Sequence, residues 1–278
     1  MIWNRVITAF AAGVLALQLG DAGSPDAQYL FSRAYPQIED PRFTVVRSVS
    51  EKRTAALEEI AQHFSMPSQI AHDDFEKYAG LAECWGELPI QTPQGVLQKS
   101  MLGLKSVQVL LVPGKDELFF VGPYHGFMKY TEKAIQVCVK ETGEDTDCRR
   151  GEILAFSEPC DVALGRLSGT NTAGLKQVSF SGHASVGETL YITPSATVPG
   201  VFPFVTTTVR FLNGYYLMTA DAQIREGYSG SPAFLGNGNI AGVVINSVQP
   251  PNARTAAVLM QPECIRQLIG FYISAQKK

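Results

Sequence analysis

The sequence predicts an all-β domain, a barrel pair or sandwich, lying behind an N-terminal region of different character. Three observations carry that expectation. From Gly95 onward, short apolar runs are punctuated by turn residues with no helical period between them. β-branched and aromatic residues, Gly and Pro are spread through the second two thirds of the chain and form no low-complexity tract. The run then closes in one amphipathic stretch that reads as a docking helix. At 278 residues, 45% apolar and 18% charged, the chain can bury a sizeable core in one large or two modest domains.

The chain opens with Met1-Ile2-Trp3-Asn4-Arg5 and the apolar run Val6 to Leu17, which Gln18, Gly20 and Asp21 end. That run is shorter than the ~20 residues a bilayer-spanning helix needs. A basic start and small residues around Ala22 fit a secretory signal or an uncleaved membrane-targeting anchor, which defines residues 1–23 as a first unit. Residues 24–94 read as linker and helical spacer or pro-region: Pro25, Pro36 and Pro41 break any period, and Ser48-Val49-Ser50-Glu51 has capping-box spacing. Leu57, Ile60, Ala61 and Phe64 share one face of the helix that follows, up to the stop at Pro67.

Residues 95–278 form the third unit. Strands are expected at Val107–Pro113, Glu117–Val121, Ala134–Val139, Val162–Leu167, Gln177–Phe180, Thr189–Ile192, Phe204–Phe211, Tyr215–Thr219, Ala233–Leu235, Ile240–Ile245 and Ala256–Met260. Asn213-Gly214 and Asn237-Gly238 suit tight hairpin turns. Pro262 suits the first turn of the closing helix, where Ile265, Leu268, Ile269 and Tyr272 make an apolar stripe.

A net charge of −3 and a pI of 5.8, with acids mixed into the densest basic stretch, argue against a nucleic-acid partner. The cysteines Cys84, Cys138, Cys148, Cys160 and Cys264 show neither a C-x-x-C pair nor a His at zinc spacing, so no metal or other cofactor is called for. Their odd number and wide spacing read as mostly buried thiols, with Cys138 and Cys148 the one pair that an oxidising compartment would cross-link.

Gly227-Tyr228-Ser229-Gly230-Ser231-Pro232 presents a serine on a glycine-flexed turn between two hairpins. A neutral hydroxyl attacks a carbonyl poorly and needs a base, and the base needs an orienting acid. All four histidines precede Ser229, which excludes the order with histidine last, and Ser231 breaks the nucleophile-elbow pattern. The order His, Asp, Ser remains. His125 follows the strand Leu118 to Val121 across Gly122-Pro123-Tyr124, and Asp161 opens the alternating strand that begins at Val162. Alone, each of these two is ordinarily a turn residue; their value lies in the conjunction.

Asp161-Val162-Ala163-Leu164 and Gly227-Tyr228-Ser229-Gly230-Ser231-Pro232 resemble the acid and nucleophile motifs of the chymotrypsin-like serine proteases. The aromatic residue before the serine and the N-terminal apolar segment are similar to the sobemovirus-type viral polyprotein proteases. The turn before His125 departs from the family's small-residue run. The resemblance implies a chymotrypsin-like double β-barrel with a C-terminal helix, and a serine endopeptidase processing a viral polyprotein near a membrane. Its substrate would be a polypeptide, including its own precursor, and its membrane contact would be the N-terminal segment. It also implies Ser229 as nucleophile, His125 as general base, Asp161 as its orienting acid and the N–H groups of Gly227 and Ser229 as oxyanion hole. Gln223, Ile224, Val244, Ile245, Asn246 and Ser247 would wall the substrate pocket; none is charged, so a neutral residue is expected before the scissile bond. Two other readings stand beside this one: a secreted protease with signal and pro-region, and a protease-fold binding module without activity.

Overall fold

The structure, a computed structural model, describes residues 25–48, 51–91, 95, 97–128, 135–140, 146–169, 174–180, 183–195, 204–221, 223–248 and 255–277. The expected targeting segment at 1–23 and the capping-box residues Val49 and Ser50 lie outside the described residues.

The first sheet holds β1 (Phe43–Val45), β2 (Ala79–Gln91), β3 (Leu97–Pro113), β4 (Leu118–Gly122), β5 (Ile135–Lys140), β6 (Thr146–Ser157) and β7 (Val162–Leu167). Their order is β1-β6-β5-β2-β3-β4-β7, and pairing of β6 with β7 closes six of them into an antiparallel barrel, with β1 added outside. The second barrel closes β8 (Thr189–Ile192), β9 (Val205–Asn213), β10 (Tyr216–Asp221), β11 (Pro232–Leu235), β12 (Ile240–Val248) and β13 (Ala256–Met260) in the order β10-β13-β12-β11-β8-β9. The chain is thus a chymotrypsin-like double β-barrel. Its helices are α1 (Pro25–Ala34), α2 (Glu51–Gln62), the short α3 (Tyr124–Phe127) and the C-terminal α4 (Pro262–Gln276), with a 3-10 turn at His72–Tyr78.

Strand composition explains the arrangement. In β4, Leu118 and Phe120 point into the first barrel, while Phe119 and Val121 join a larger core that also takes in residues of the helices and the second barrel. β13 behaves likewise: Ala257 and Leu259 fill the second barrel, and Ala256, Val258 and Met260 face the shared core. Strands buried on both faces read as unbroken apolar runs, which is how these two appear in the sequence. On α4, Ile265, Leu268, Ile269 and Tyr272 are all buried, as their spacing predicts.

Ten of the eleven expected strands are present; residues 177–180 are not in a sheet, although the Ser179 carbonyl accepts from Ile240 N at 2.9 Å. The β9–β10 loop is Gly214-Tyr215, one position later than the Asn-Gly pair suggests. Gly214 has φ +58, fitting a II′ turn with glycine first.

The largest correction concerns residues 24–94. They are no detachable spacer: β2 lies between β3 and β5 inside the first barrel, so a domain boundary at residue 95 would cut the sheet. The mixed sequence of β2, with Glu83, Glu87 and Pro89 among its apolar residues, hides it from a search for apolar runs. α2 packs on α4, where Leu57 and Ile60 are fully buried.

The thiol expectation is also corrected. Cys138 pairs with Cys148 directly across β5 and β6, and Cys160 pairs with Cys264, leaving Cys84 buried with its Sγ directed at the Gly126 carbonyl. In a chain-entropy model the closure of 104 residues is worth about 4.7 kcal/mol, against about 2.7 kcal/mol for the closure of 10.

Gly165 on β7 faces the Phe120 ring, and a Cβ added there would fall inside that ring. Gly165→Ala is therefore expected to lower stability by about 1–3 kcal/mol through overpacking. Urea unfolding, with the midpoint as readout, checks this.

Candidate active site

Asp161 occupies the turn between β6 and β7 with φ +50, a left-handed conformation that aspartate tolerates better than most residues. The turn is closed by Asp161 N donating to the Glu158 carbonyl at 3.1 Å. This backbone sets both carboxylate oxygens towards His125. Oδ1 accepts from the His125 backbone N–H at 2.7 Å, and Oδ2 lies 2.7 Å from its Nδ1. The Asp161 carbonyl also accepts from Tyr124 N at 3.1 Å. His125 sits in α3, which Pro123 starts without needing an N–H there. Its ring is partly exposed.

The serine turn meets the same region from the second barrel. Ser229 O accepts from Gln108 N on β3 at 2.9 Å. Gly230, φ +93, has no room for a side chain: a Cβ would run into the Gln108 carbonyl and come within 3.0 Å of Pro123 Cδ, two residues before His125. The turn is also paired to β12, with Gly230 N donating to Val244 O at 2.6 Å and Val244 N to Ser231 O at 3.0 Å. Tyr228 anchors it from below. Its side chain is fully buried in the second barrel's core, which is why an aromatic residue fits before the serine.

The backbone donors that hold this turn are Tyr228, Gly230 and Ser231. Gly227 and Ser229, the two N–H groups assigned to an oxyanion hole, are not among them. Gly227 has φ +96, which few other residues accept.

The expected pocket residues divide. Ile224, Val244 and Ile245 are buried and packed into the cores, so they shape the wall from behind. Gln223 is exposed, and Asn246 and Ser247 are half-buried, which leaves these three at the surface. Of the other histidines, His63 follows α2, His72 packs edge-on to Tyr191, and His183 is exposed. Among the described residues no group of three His, Cys, Asp or Glu side chains could hold a metal.

Sequence reading missed the second ring of contacts. Tyr35, just after α1, accepts a bond at its hydroxyl from Asn246 Nδ2 at 2.6 Å and stacks near Tyr216, with ring centroids 5.2 Å apart. Tyr216 donates its hydroxyl proton to the Pro159 carbonyl at 2.8 Å, bracing the turn that carries Asp161. No local signal announces these contacts, because the partners are remote in sequence. No protein-family model and no curated protein matches this chain.

Burial pushes the Tyr35 phenol up to about 12, opposed by the Asn246 bond and reinforced by the Asp161 charge. Burial likewise pushes Tyr78 and Tyr272 to about 12. A phenol that ionises near 10 when unfolded but near 12 when folded stabilises the fold fully below pH 10 and loses that contribution as pH rises through 12. Stability is thus expected to fall across pH 10–12, and Tyr35→Phe to remove one late step from an absorbance titration of the phenolates.

Proposed function

We propose that the chain is a serine endopeptidase. The observation that carries this reading is the two-point hold of Asp161 on His125 beside the Ser229 turn, at the meeting of two barrels. Asp161 fixes the imidazole tautomer with the proton on Nδ1, leaving Nε2 to take the proton of Ser229 Oγ as it attacks the scissile carbonyl. His125 then returns that proton to the leaving amine, and water reverses the sequence on the acyl-enzyme. The Gly227 and Ser229 N–H groups receive the developing oxyanion, each such donor being worth about 3 kcal/mol in the transition state.

The substrate is a polypeptide with a neutral residue before the scissile bond. The likeness to polyprotein proteases makes the chain's own precursor one such substrate, with a membrane close to the N-terminal segment. A specific observation favours the secreted reading instead: two disulfides belong to an oxidising compartment. Among the described residues no helix is long and apolar enough to cross a membrane. A cleaved N-terminus near Ala22 in protein recovered from an expressing cell's medium would favour secretion, and an intact one on membranes would favour the anchor.

A fluorophosphonate probe is expected to label the parent and neither Ser229→Ala nor His125→Ala; an unlabelled parent, or labelling that persists in Ser229→Ala, rejects the reading. Asp161→Asn preserves tolerance of the left-handed turn while removing the charge. It is expected to cut kcat by about 10⁴, the size of that substitution's effect in serine-protease triads. Peptide-library profiling in which basic residues dominate before the scissile bond would overturn the neutral preference.

A further inference from the structure

We propose that the Cys160–Cys264 disulfide is a positioning link that holds Asp161 in register with His125; the inference rests on the serine-endopeptidase reading above. Cys160 is the residue immediately before Asp161, and the bond joins it to the first turn of α4, 104 residues away. Both cysteines are fully buried. The helix end is a firm post, since Ile265, Leu268, Ile269 and Tyr272 are packed into the shared core and the Tyr272 hydroxyl donates to the Arg47 carbonyl at 2.8 Å.

The turn needs such a post. A non-glycine residue at φ +50 persists only where its surroundings over-determine it. Each residue of the turn is tied to a different element. Ser157 Oγ donates to the Pro41 carbonyl and accepts from Cys160 N, Tyr216 holds the Pro159 carbonyl, and Cys160 is bonded to α4. Only the last tie is covalent, and it adjoins the residue whose two carboxylate oxygens must meet two N–H groups of His125. The other disulfide, Cys138–Cys148, joins neighbours on adjacent strands that the ladder already pairs, and so provides a control.

A carboxylate turned away from Nδ1 weakens the orientation of the imidazole in the transition state without changing substrate contacts, so the effect belongs in kcat rather than KM. In the full chain, the double variant Cys160→Ala/Cys264→Ala is compared with Cys138→Ala/Cys148→Ala, each checked for native near-UV dichroism at the assay temperature. The first pair is expected to lower kcat, and the rate of fluorophosphonate labelling, by about 10- to 100-fold with KM within about twofold, as a small misplacement of catalytic geometry does. The control pair leaves both within about twofold of the parent. Adding Asp161→Asn to the first pair costs correspondingly less than it does in the parent, because both changes act through one contact.

A folded first pair with parental kcat, or an equal Asp161→Asn cost in both backgrounds, overturns the link. Where the variant does not fold, the native protein is partially reduced and its thiols are alkylated and mapped by mass spectrometry. Activity that falls with alkylation of Cys160 and Cys264 supports the link, and activity that survives it overturns the link. A parent that takes no fluorophosphonate rejects the serine-endopeptidase reading itself, whereas a labelled parent with an unaffected first pair rejects the link alone.

Discussion

The two bonds from the Asp161 carboxylate to His125 are the constraint on which the rest of the arrangement depends. A carboxylate can meet the backbone N–H and the ring nitrogen of one histidine only when its own backbone is turned to face that residue. The left-handed turn supplies this direction at a cost of order 1–3 kcal/mol, which the neighbouring structure must offset. Each tie around the turn, from Pro41, Tyr216, α3 and Cys264, can be understood as support for that one conformation. The parts of the chain that brace it come from the N-terminal segment, the first barrel, the second barrel and the last helix.

Two barrels with separate interiors would leave a loose joint between them. Here the joint is filled by a third apolar core, to which β4 and β13 contribute alternate residues. Gly230 allows the serine turn to press against the Gln108 carbonyl and Pro123, so the second barrel's turn sits directly on the first barrel. The cleft is therefore a consequence of packing. Its two sides keep their spacing because the backbone contact at Gly230 leaves no slack, and because Gly230 and Ser231 are also paired with Val244.

Most of the second barrel was legible in the sequence. Its strands are short and apolar with glycine turns, and β7 falls at the expected Val162–Leu167. The serine turn and the acid were legible for a chemical reason, since glycines at 227 and 230 and an aspartate before an alternating strand are unusual demands on a backbone. What stayed hidden depends on pairing across distance. β2 carries charges and a proline, and only its neighbours β3 and β5 make it a strand. The disulfide from Cys160 spans 104 residues and leaves no spacing pattern. Val244 and Ile224 look like pocket residues from their positions relative to the serine, yet their side chains turn into the barrel core.

These hidden contacts change the meaning of the N-terminal third. A pro-region is removed by cleavage and leaves a closed fold behind it, with its own edges satisfied. Removing the chain up to residue 94 would instead take out β2 and expose the facing edges of β3 and β5, opening the first barrel and its Val109, Leu111 and Val137 to water. It would also strip Tyr35 from Asn246 and Tyr216, and Pro41 from Ser157, loosening the turn that holds Asp161. Any processing that preserves the barrels and the acid's turn must therefore cut before α1, and residues 25–91 belong to the same folded unit as the site.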